Sequence, residues 1–390
     1  MDIIHARLYT MAGPVIEDGY LRIRDGVIAQ LGPMEEYPGG AQEQLDVKGN
    51  LVCPGFVDAH SHLGIWEDQL DHQDDTNECT DPCTPQLRGL DAVNPLDPCF
   101  QEALLAGVTT VITGPGSANP IGGQMCAVKT WGRRVDDMVL REPLAVKFAF
   151  GENPKNVYQE NNQAPTTRMA TAALIREELK KAQRYWEDLQ RSQEDEEIDP
   201  PEFDFKCEAL IPLLEGKIQA HMHAHRTDDI FTAIRIAKEF HLDYVLVHAT
   251  AGHLAADLLK AENARVISGP FLESRVKPEL ADLSIRNPVR LIEAGVPTAI
   301  CTDHPCKPQQ LLALCAAYTV REGMDPMQAL ACITSTPAQI CGLDSRVGSL
   351  AVGRDADLQV YEMDPLSLMA RPSMVFLEGR LVVKDSKPVR

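Results

Sequence analysis

The chain has 390 residues, 44% of them hydrophobic, and 37 Lys and Arg against 57 Asp and Glu give it a formal net charge of -20. That length can bury the core of one large domain plus an accessory unit, and the acidity excludes binding driven by attraction to a nucleic-acid backbone. There is no run of about 18 apolar residues to cross a membrane and no basic start leading into an apolar leader; 11 cysteines scattered without paired spacing read as reduced thiols of a cytoplasmic protein.

In chain order, residues 20–24 and 27–31 are short alternating segments separated by Asp25-Gly26, a hairpin signal because both turn residues tolerate positive φ. The stretch Val52-Cys53-Pro54-Gly55-Phe56-Val57-Asp58-Ala59-His60-Ser61-His62 is apolar and β-prone and closes on two histidines. Residues i and i+2 of a strand share a face, so His60 and His62 present two imidazoles together, and neutral imidazole suits zinc and similar divalent ions. Two histidines this close also arise by chance, so the ligands further along must decide. Residues 64–98 read as a long polar loop of the length that functional loops reach. Its run Asp74-Asp75-Thr76-Asn77-Glu78 is expected to be solvated rather than to contact substrate. Cys79 and Cys83 lack a second pair at a usual interval, so no structural zinc is expected there. A helix over 97–106, a strand over 107–113 and a Gly-rich loop over 114–124 follow; the loop lacks the Gly-Lys-Ser/Thr close of a phosphate loop.

Residues 144–150 form the next strand, with Lys147 inside it and Glu152 at its exit in Gly151-Glu152-Asn153-Pro154. A carboxylate at such an exit can complete a metal site, or it can be a surface or helix-start group. Residues 166–192 carry Leu174, Ile175, Leu179, Ala182 and Tyr185 near helical spacing, and 207–214 is helical again; a clean fourth strand is not visible before residue 218. Ile218-Gln219-Ala220-His221-Met222-His223-Ala224-His225-Arg226 then puts three histidines on one strand face, which a buried strand seldom carries without a ligand or partner for them. A helix leads to a strand at 243–248 that ends in His248. His253, one loop later, either orients substrate or caps the following helix. Strands at 265–270 and 297–305 close the series, the last running into Asp303. Strands alternating with helices from about 53 to 345 argue for a parallel sheet. Residues 357–361, 373–377 and 380–383 are strand-like again; neither terminal group buries a core alone, so the two are expected to pair into one small β-sandwich.

Pro54-Gly55-Phe56-Val57-Asp58-Ala59-His60-Ser61-His62 resembles the first-strand signature of the amidohydrolase superfamily. The resemblance continues through Gly151-Glu152-Asn153-Pro154, His223-Ala224-His225-Arg226-Thr227-Asp228-Asp229-Ile230, the strand-end Asp303, Thr334-Ser335-Thr336-Pro337-Ala338 and residues 348–358, and so spans almost the whole chain. The branch it resembles is the imidazolonepropionase-related one. The resemblance implies a (β/α)8 TIM-like barrel over 53–345, with residues 1–52 and 346–390 as the β-sandwich. It implies a divalent metal, zinc first, with one or two ions per subunit held by His60, His62, Glu152, His223 and His248. Lys147 carrying a bridging carbamate is the rival to Glu152. Asp303 is then the catalytic proton shuttle; His225, Arg226, His253, Gly123 and Gln124 are expected to face the substrate. The partner is a small molecule, and a homo-oligomer is expected.

The reaction these parts imply is hydrolysis of a C–N bond in an amide, cyclic amide or dipeptide by metal-activated water. An imidazolone-like ring or a heterocycle to be deaminated is the alternative substrate. A catalytically inactive binding homologue and a metal-dependent lyase or isomerase are the readings from other classes.

Overall fold

The computed structural model describes residues 1–67 and 75–389; Asp74 of the acidic run and the terminal Arg390 lie outside them. Five strands come first: β1 (Asp2–Leu8), β2 (Ile16–Arg24), β3 (Val27–Pro33), β4 (Gln44–Asp46) and β5 (Leu51–Pro54). Among the described residues, eight follow in the body: β6 (Phe56–Ser61), β7 (Val108–Thr113), β8 (Ile121–Lys129), β9 (Val139–Ala149), β10 (Gln219–Ala224), β11 (Tyr244–His248), β12 (Val266–Ser268) and β13 (Thr298–Ile300). The chain ends in β14 (Leu358–Tyr361), β15 (Met374–Leu377), β16 (Arg380–Lys384) and β17 (Lys387–Pro388).

The two ends do pair. They form one nine-stranded sheet in the order β17-β16-β15-β14-β5-β1-β2-β3, with β4 beside β1. The seam is β5 against β14, antiparallel from Leu358↔Pro54 to Tyr361↔Leu51. Asp25 (φ 50°) and Gly26 (φ 81°) turn β2 into β3, and Glu378 (φ 46°) and Gly379 (φ 73°) turn β15 into β16, the left-handed pairs that match the twist of a tight hairpin. Ile3, Leu8, Leu21, Ile28, Val52, Leu358, Val360 and Phe376 form its core, drawn from both ends, as expected of segments that cannot bury apolar area alone. Gly55 carries the chain from this sheet into the next: a Cβ there would lie 2.0 Å from Thr109 Oγ1.

The body is a TIM-like barrel in the order β13-β12-β11-β10-β9-β8-β7-β6. It departs from eight parallel strands at β8, which runs antiparallel to both β7 and β9. The barrel strand expected shortly before residue 218 lies here instead: β8 begins inside the Gly-rich stretch, where Gly122 and Gly123 interrupt the apolar pattern, and it returns to β9 through the single 3-10 turn Val135–Asp137 with no α-helix. Between β6 and β13 the barrel closes through His62 N–H to His304 O at 2.8 Å and Asp303 N–H to His60 O at 3.2 Å. Val57, Ile112, Met125, Val245, Val247, Ile267 and Ala299 fill the interior, with Ala338 and Ile340 of the helix Ser335–Ile340 packed into the same core. Outside, the helix Arg168–Glu194 buries Ile175, Leu179, Ala182 and Tyr185 in one cluster with Val146, Phe148 and Met222. The parallel strands release their chain at one end, so His60, His62, His223, His248 and Asp303 gather on that face. Among the described residues no helix is long and apolar enough to cross a membrane.

A buried ion cluster joins the barrel to the terminal sheet. Lys129 at the end of β8 donates to Asp355 at 2.8 Å and to Asp357, and Arg346 pairs with Asp355 at 2.7 Å. Removing one member of such a cluster strands the others without a counter-charge. Lys129→Met is expected to lower stability by about 3–5 kcal/mol, read as a fall in the urea midpoint at neutral pH. A loss under about 1 kcal/mol would mean that apolar packing, not this cluster, holds the junction.

Candidate active site

Two groups of side chains meet at the open end of the barrel. In the first, His60 Nε2 and His62 Nε2 each lie 3.4 Å from Asp303 Oδ1. His62 Nδ1 is 2.8 Å from Gly114 O; a carbonyl only accepts, so Nδ1 carries the proton and Nε2 keeps its lone pair. Lys147 belongs to this group. Its Nζ stands 3.3 Å from His60 Nε2 and 3.4 Å from Pro115 O, and burial lowers its amine to about 8.

The second group is His223, His225 and His248. The His223 ring lies 4.5 Å from His248 and 4.6 Å from His225, and His60 lies 5.4 Å from His248, which links the two groups. His248 Nδ1 meets Gly269 O at 2.6 Å, again leaving Nε2 as the presented atom. Strand alternation would send His248 outward with Leu246, which packs in the outer core, while Val245 and Val247 face the interior. A positive φ of 71° at His248 ends the pleat and brings the ring to the site. Gly269 is required at its position: its φ is 144°, and a Cβ would lie 2.3 Å from Cys301 O. His225 differs from its neighbours in that both ring nitrogens face protein groups, Nδ1 with Thr250 Oγ1 at 2.7 Å and Nε2 with Glu279 Oε1 at 3.5 Å.

Burial holds His60, His223 and His225 well below the usual imidazole range and takes His248 to about 4, so these rings are neutral donors of lone pairs. Burial alone would raise the Asp303 carboxyl, but the His248, His60 and His62 imidazoles outweigh it and hold the group well below the ordinary carboxylate range. Asp58 braces this end of the barrel. It accepts from Thr302 Oγ1 and Gln309 Nε2, each at 2.6 Å, and from His60 N–H at 3.3 Å, and burial pushes its carboxyl up to about 7. It thereby ties the residue before Asp303 to the strand that carries His60.

The candidate ligand atoms of His60, His62 and Asp303 lie within 4.8 Å of one another, and so do those of His223, His225 and His248. Among the described residues, buried His223 has no hydrogen-bond partner at either ring nitrogen, and buried His60 has none at Nδ1. Neutral imidazoles with lone pairs left over, beside an ionised carboxylate, fit a divalent ion of the zinc type.

Of the residues expected at the site, His60, His62, His223, His248 and Asp303 converge, and His225 joins them. His62, Lys147, His223, His225, His248 and Asp303 line one cavity of about 420 Å³. Glu152 is not brought to it: the residue opens the helix Glu152–Glu160, and its Oε2 accepts the Glu279 N–H at 3.2 Å. The side chain near the histidines is that of Lys147, which sits inside strand β9. Arg226 is spent on Asp228, at 2.9 Å on the surface. His253 packs on Asn287, its N–H donating to Oδ1 at 2.9 Å and its Nδ1 lying 3.3 Å from that atom. Gly123 and Gln124 lie in β8 against the 85–87 segment, with Gln124 N–H on Leu87 O at 2.7 Å; Gly116 and Ser117 line the cavity instead. Thr76 and Asn77, read as solvated, also line it. Among the described residues, neither candidate metal group includes a cysteine. Asp58 lies in the strand stretch 52–62 and Asn153 in the Gly151–Pro154 motif, but neither has a local pattern that assigns it a role; Lys277, Glu279 and Thr250 carry no local signal.

The sequence model of the amidohydrolase family matches residues 51–385. Amidohydrolase tasK of Hapsidospora irregularis is 29% identical over 408 residues, covering 95% of this chain, while this chain spans only 41% of tasK. The imidazolonepropionase of Maricaulis maris (strain MCS10) is 26% identical over 423 residues, which are 98% of each chain. The crystal structure of an amidohydrolase from Thermotoga maritima MSB8 superposes with a TM-score of 0.94 at 38% identity, over 98% of this chain and 99% of that one.

Proposed function

Because the chain belongs to the amidohydrolase family and is a hydrolase of carbon–nitrogen bonds, we propose that it cleaves a small amide, cyclic amide or dipeptide in a divalent-metal-dependent reaction with Asp303 as proton shuttle. The observation that carries this reading is the convergence of His62, Lys147, His223, His248 and Asp303 on one cavity, with His60 beside Lys147 and Asp303. The four histidines and Asp303 would hold one or two ions, zinc first. Lys147 would join them as a carbamate, in place of Glu152. Its buried amine, lowered to about 8, is neutral often enough to add CO2, forming one N–C bond and releasing one proton. When bound, such an ion supplies Lewis acidity and brings the pKa of a water towards ~7.

The protein's own groups do the rest. Ionised Asp303 takes the proton of the attacking water and hands it to the leaving nitrogen, so the amide yields a carboxylic acid and an amine. His225, fixed by Thr250 and Glu279 and stacked 4.8 Å from His248, orients the substrate. Residues 53–345 are the catalytic unit, and residues 1–52 and 346–390 the accessory β unit.

The imidazolonepropionase relatives favour a second reading, an imidazolone-like ring opened by the same steps. One panel tests both: N-acyl amino acids, dipeptides, lactams, an imidazolone and an aminated heterocycle, offered to the zinc-loaded protein in 18O-water. One solvent oxygen is expected in the product, and a chelator should abolish turnover. Release of ammonia from an aminated heterocycle alone would make the protein a deaminase. Conversion without solvent oxygen would make it an isomerase or lyase, and a metal-loaded protein inert towards the whole panel would be a binding homologue.

A further inference from the structure

Lys277 is a cation at the cavity that the hydrolytic reading does not use. It lies on the segment after β12 and lines the same cavity as the histidines. Its Nζ is 2.7 Å from Glu279 Oε1 and donates to Asn153 Oδ1 at 2.9 Å. Glu279 is a fully buried carboxylate whose other oxygen accepts the Glu152 N–H at 3.0 Å. Gly151 makes room for it, since a Cβ there would lie 2.7 Å from Glu279 Oε2. Asn153 is oriented in turn by its Nδ2 donating to Ser117 Oγ at 2.9 Å. An ammonium has three donors; Asn153 takes one, and Glu279 holds the charge as an ion pair at 2.7 Å without accepting a hydrogen bond at Oε1. A lysine on a flexible stem is a poor reader of ligands because ordering it has an entropic cost. Here that ordering is already met by two fixed partners.

We propose that Lys277 is the specificity-determining residue of this enzyme and that it receives a carboxylate of the substrate, with the Ser117 hydroxyl as second donor. The distance from the reacting centre follows from a shared atom. Glu279 Oε1 faces both Lys277 Nζ and His225 Nε2, and His225 stands beside His223 and His248. The carboxylate therefore sits a few bonds from the scissile carbonyl, as the α-carboxyl of an N-acyl amino acid, a dipeptide or a carboxylated lactam does. Trp66, Val276 and Leu280 line the same cavity and supply apolar surface for the side chain that such a substrate carries.

This rests on the hydrolytic reading above, and the test keeps the two apart. Binding of N-acetyl-L-leucine and of its neutral carboxamide to the purified zinc-loaded protein is measured by calorimetry, and turnover of an acidic dipeptide series and its C-terminal amides is measured beside it. The acid should bind about 10- to 100-fold tighter than the carboxamide, the range of a hydrogen bond to a charged group. In Lys277→Met that ratio should fall to about one, with the loss in KM rather than kcat for whichever acid is turned over. Lys277→Arg should keep a preference for the acid. Lys277→Met with Glu279→Gln removes both charges at once and guards against a destabilising buried carboxylate; it too should bind acid and carboxamide alike. Equal binding of the two by the wild type overturns the proposal, as does an unchanged ratio in Lys277→Met, which would leave Lys277 a structural partner of Glu279. Hydrolysis confined to neutral amides would sink the proposal and leave the hydrolase reading intact. Acid-selective binding without hydrolysis of any compound would do the reverse.

Discussion

Lys147→Met protein is expected to come through purification with little divalent metal and to lose activity by more than ~10²-fold, beyond the 10- to 100-fold typical of outer-shell partners. Lys147 Nζ stands 3.3 Å from His60 Nε2 within the barrel, and burial lowers the amine to about 8. Only the neutral amine adds CO2. Reloading of the metal-free wild type with zinc should therefore rise as pH passes upward through about 8, and should rise further with added bicarbonate. Lys147→Met should show neither response. Glu152→Gln is the internal control. The Glu152 carboxylate is engaged by the Glu279 N–H, so its neutral isostere should keep the metal. Metal analysis of the two proteins decides the matter: full occupancy in Lys147→Met with depletion in Glu152→Gln would return the ligand role to Glu152 and remove the carbamate.

Asp303→Asn should separate holding the metal from moving the proton. The substitution keeps size and hydrogen bonding but cannot accept a proton from water. His60, His62, His223 and His248 remain, with the Nε2 atoms of His62 and His248 still presented by Gly114 O and Gly269 O, so zinc content should fall little. Turnover on any substrate found should fall by ~10²–10⁴-fold, the usual contribution of general acid–base catalysis. A larger fall with metal retained would mean that Asp303 also places the nucleophile. Unchanged turnover with metal retained would take it out of the mechanism. His253 is not poised to replace it, being engaged with Asn287.

These two experiments bear on residues of unequal legibility. Asp303 and the histidines could be read early because each ends an apolar run, and period-two alternation is a local property of a strand. Lys147 and Glu152 lie five positions apart around one strand exit, and local pattern put the carboxylate first because its chemistry is that of a ligand. Which of them reaches the histidines depends on the register of β9 against β10, where Lys147 stands opposite His221, and that register is a tertiary fact.

The sequence by itself determined the elements whose signal is local. The Asp25-Gly26 and Glu378-Gly379 hairpins, the long helix read over 166–192, the strand-end histidines and the alternation that makes a barrel all follow from turn chemistry and periodicity within a few residues. The folded chain decided what depends on contacts between distant segments. The antiparallel β8 was hidden because glycines break its pattern, and its place is set by pairing with β7 and β9. His248 reaches the site through a backbone φ of 71° that no alternation rule contains. Lys277, Glu279 and Asn153 form one unit although the first two lie more than 120 residues from the third. A short run of sequence records which groups a chain carries, but which of them share a cavity is settled only when loops from separate strands close over the same barrel end.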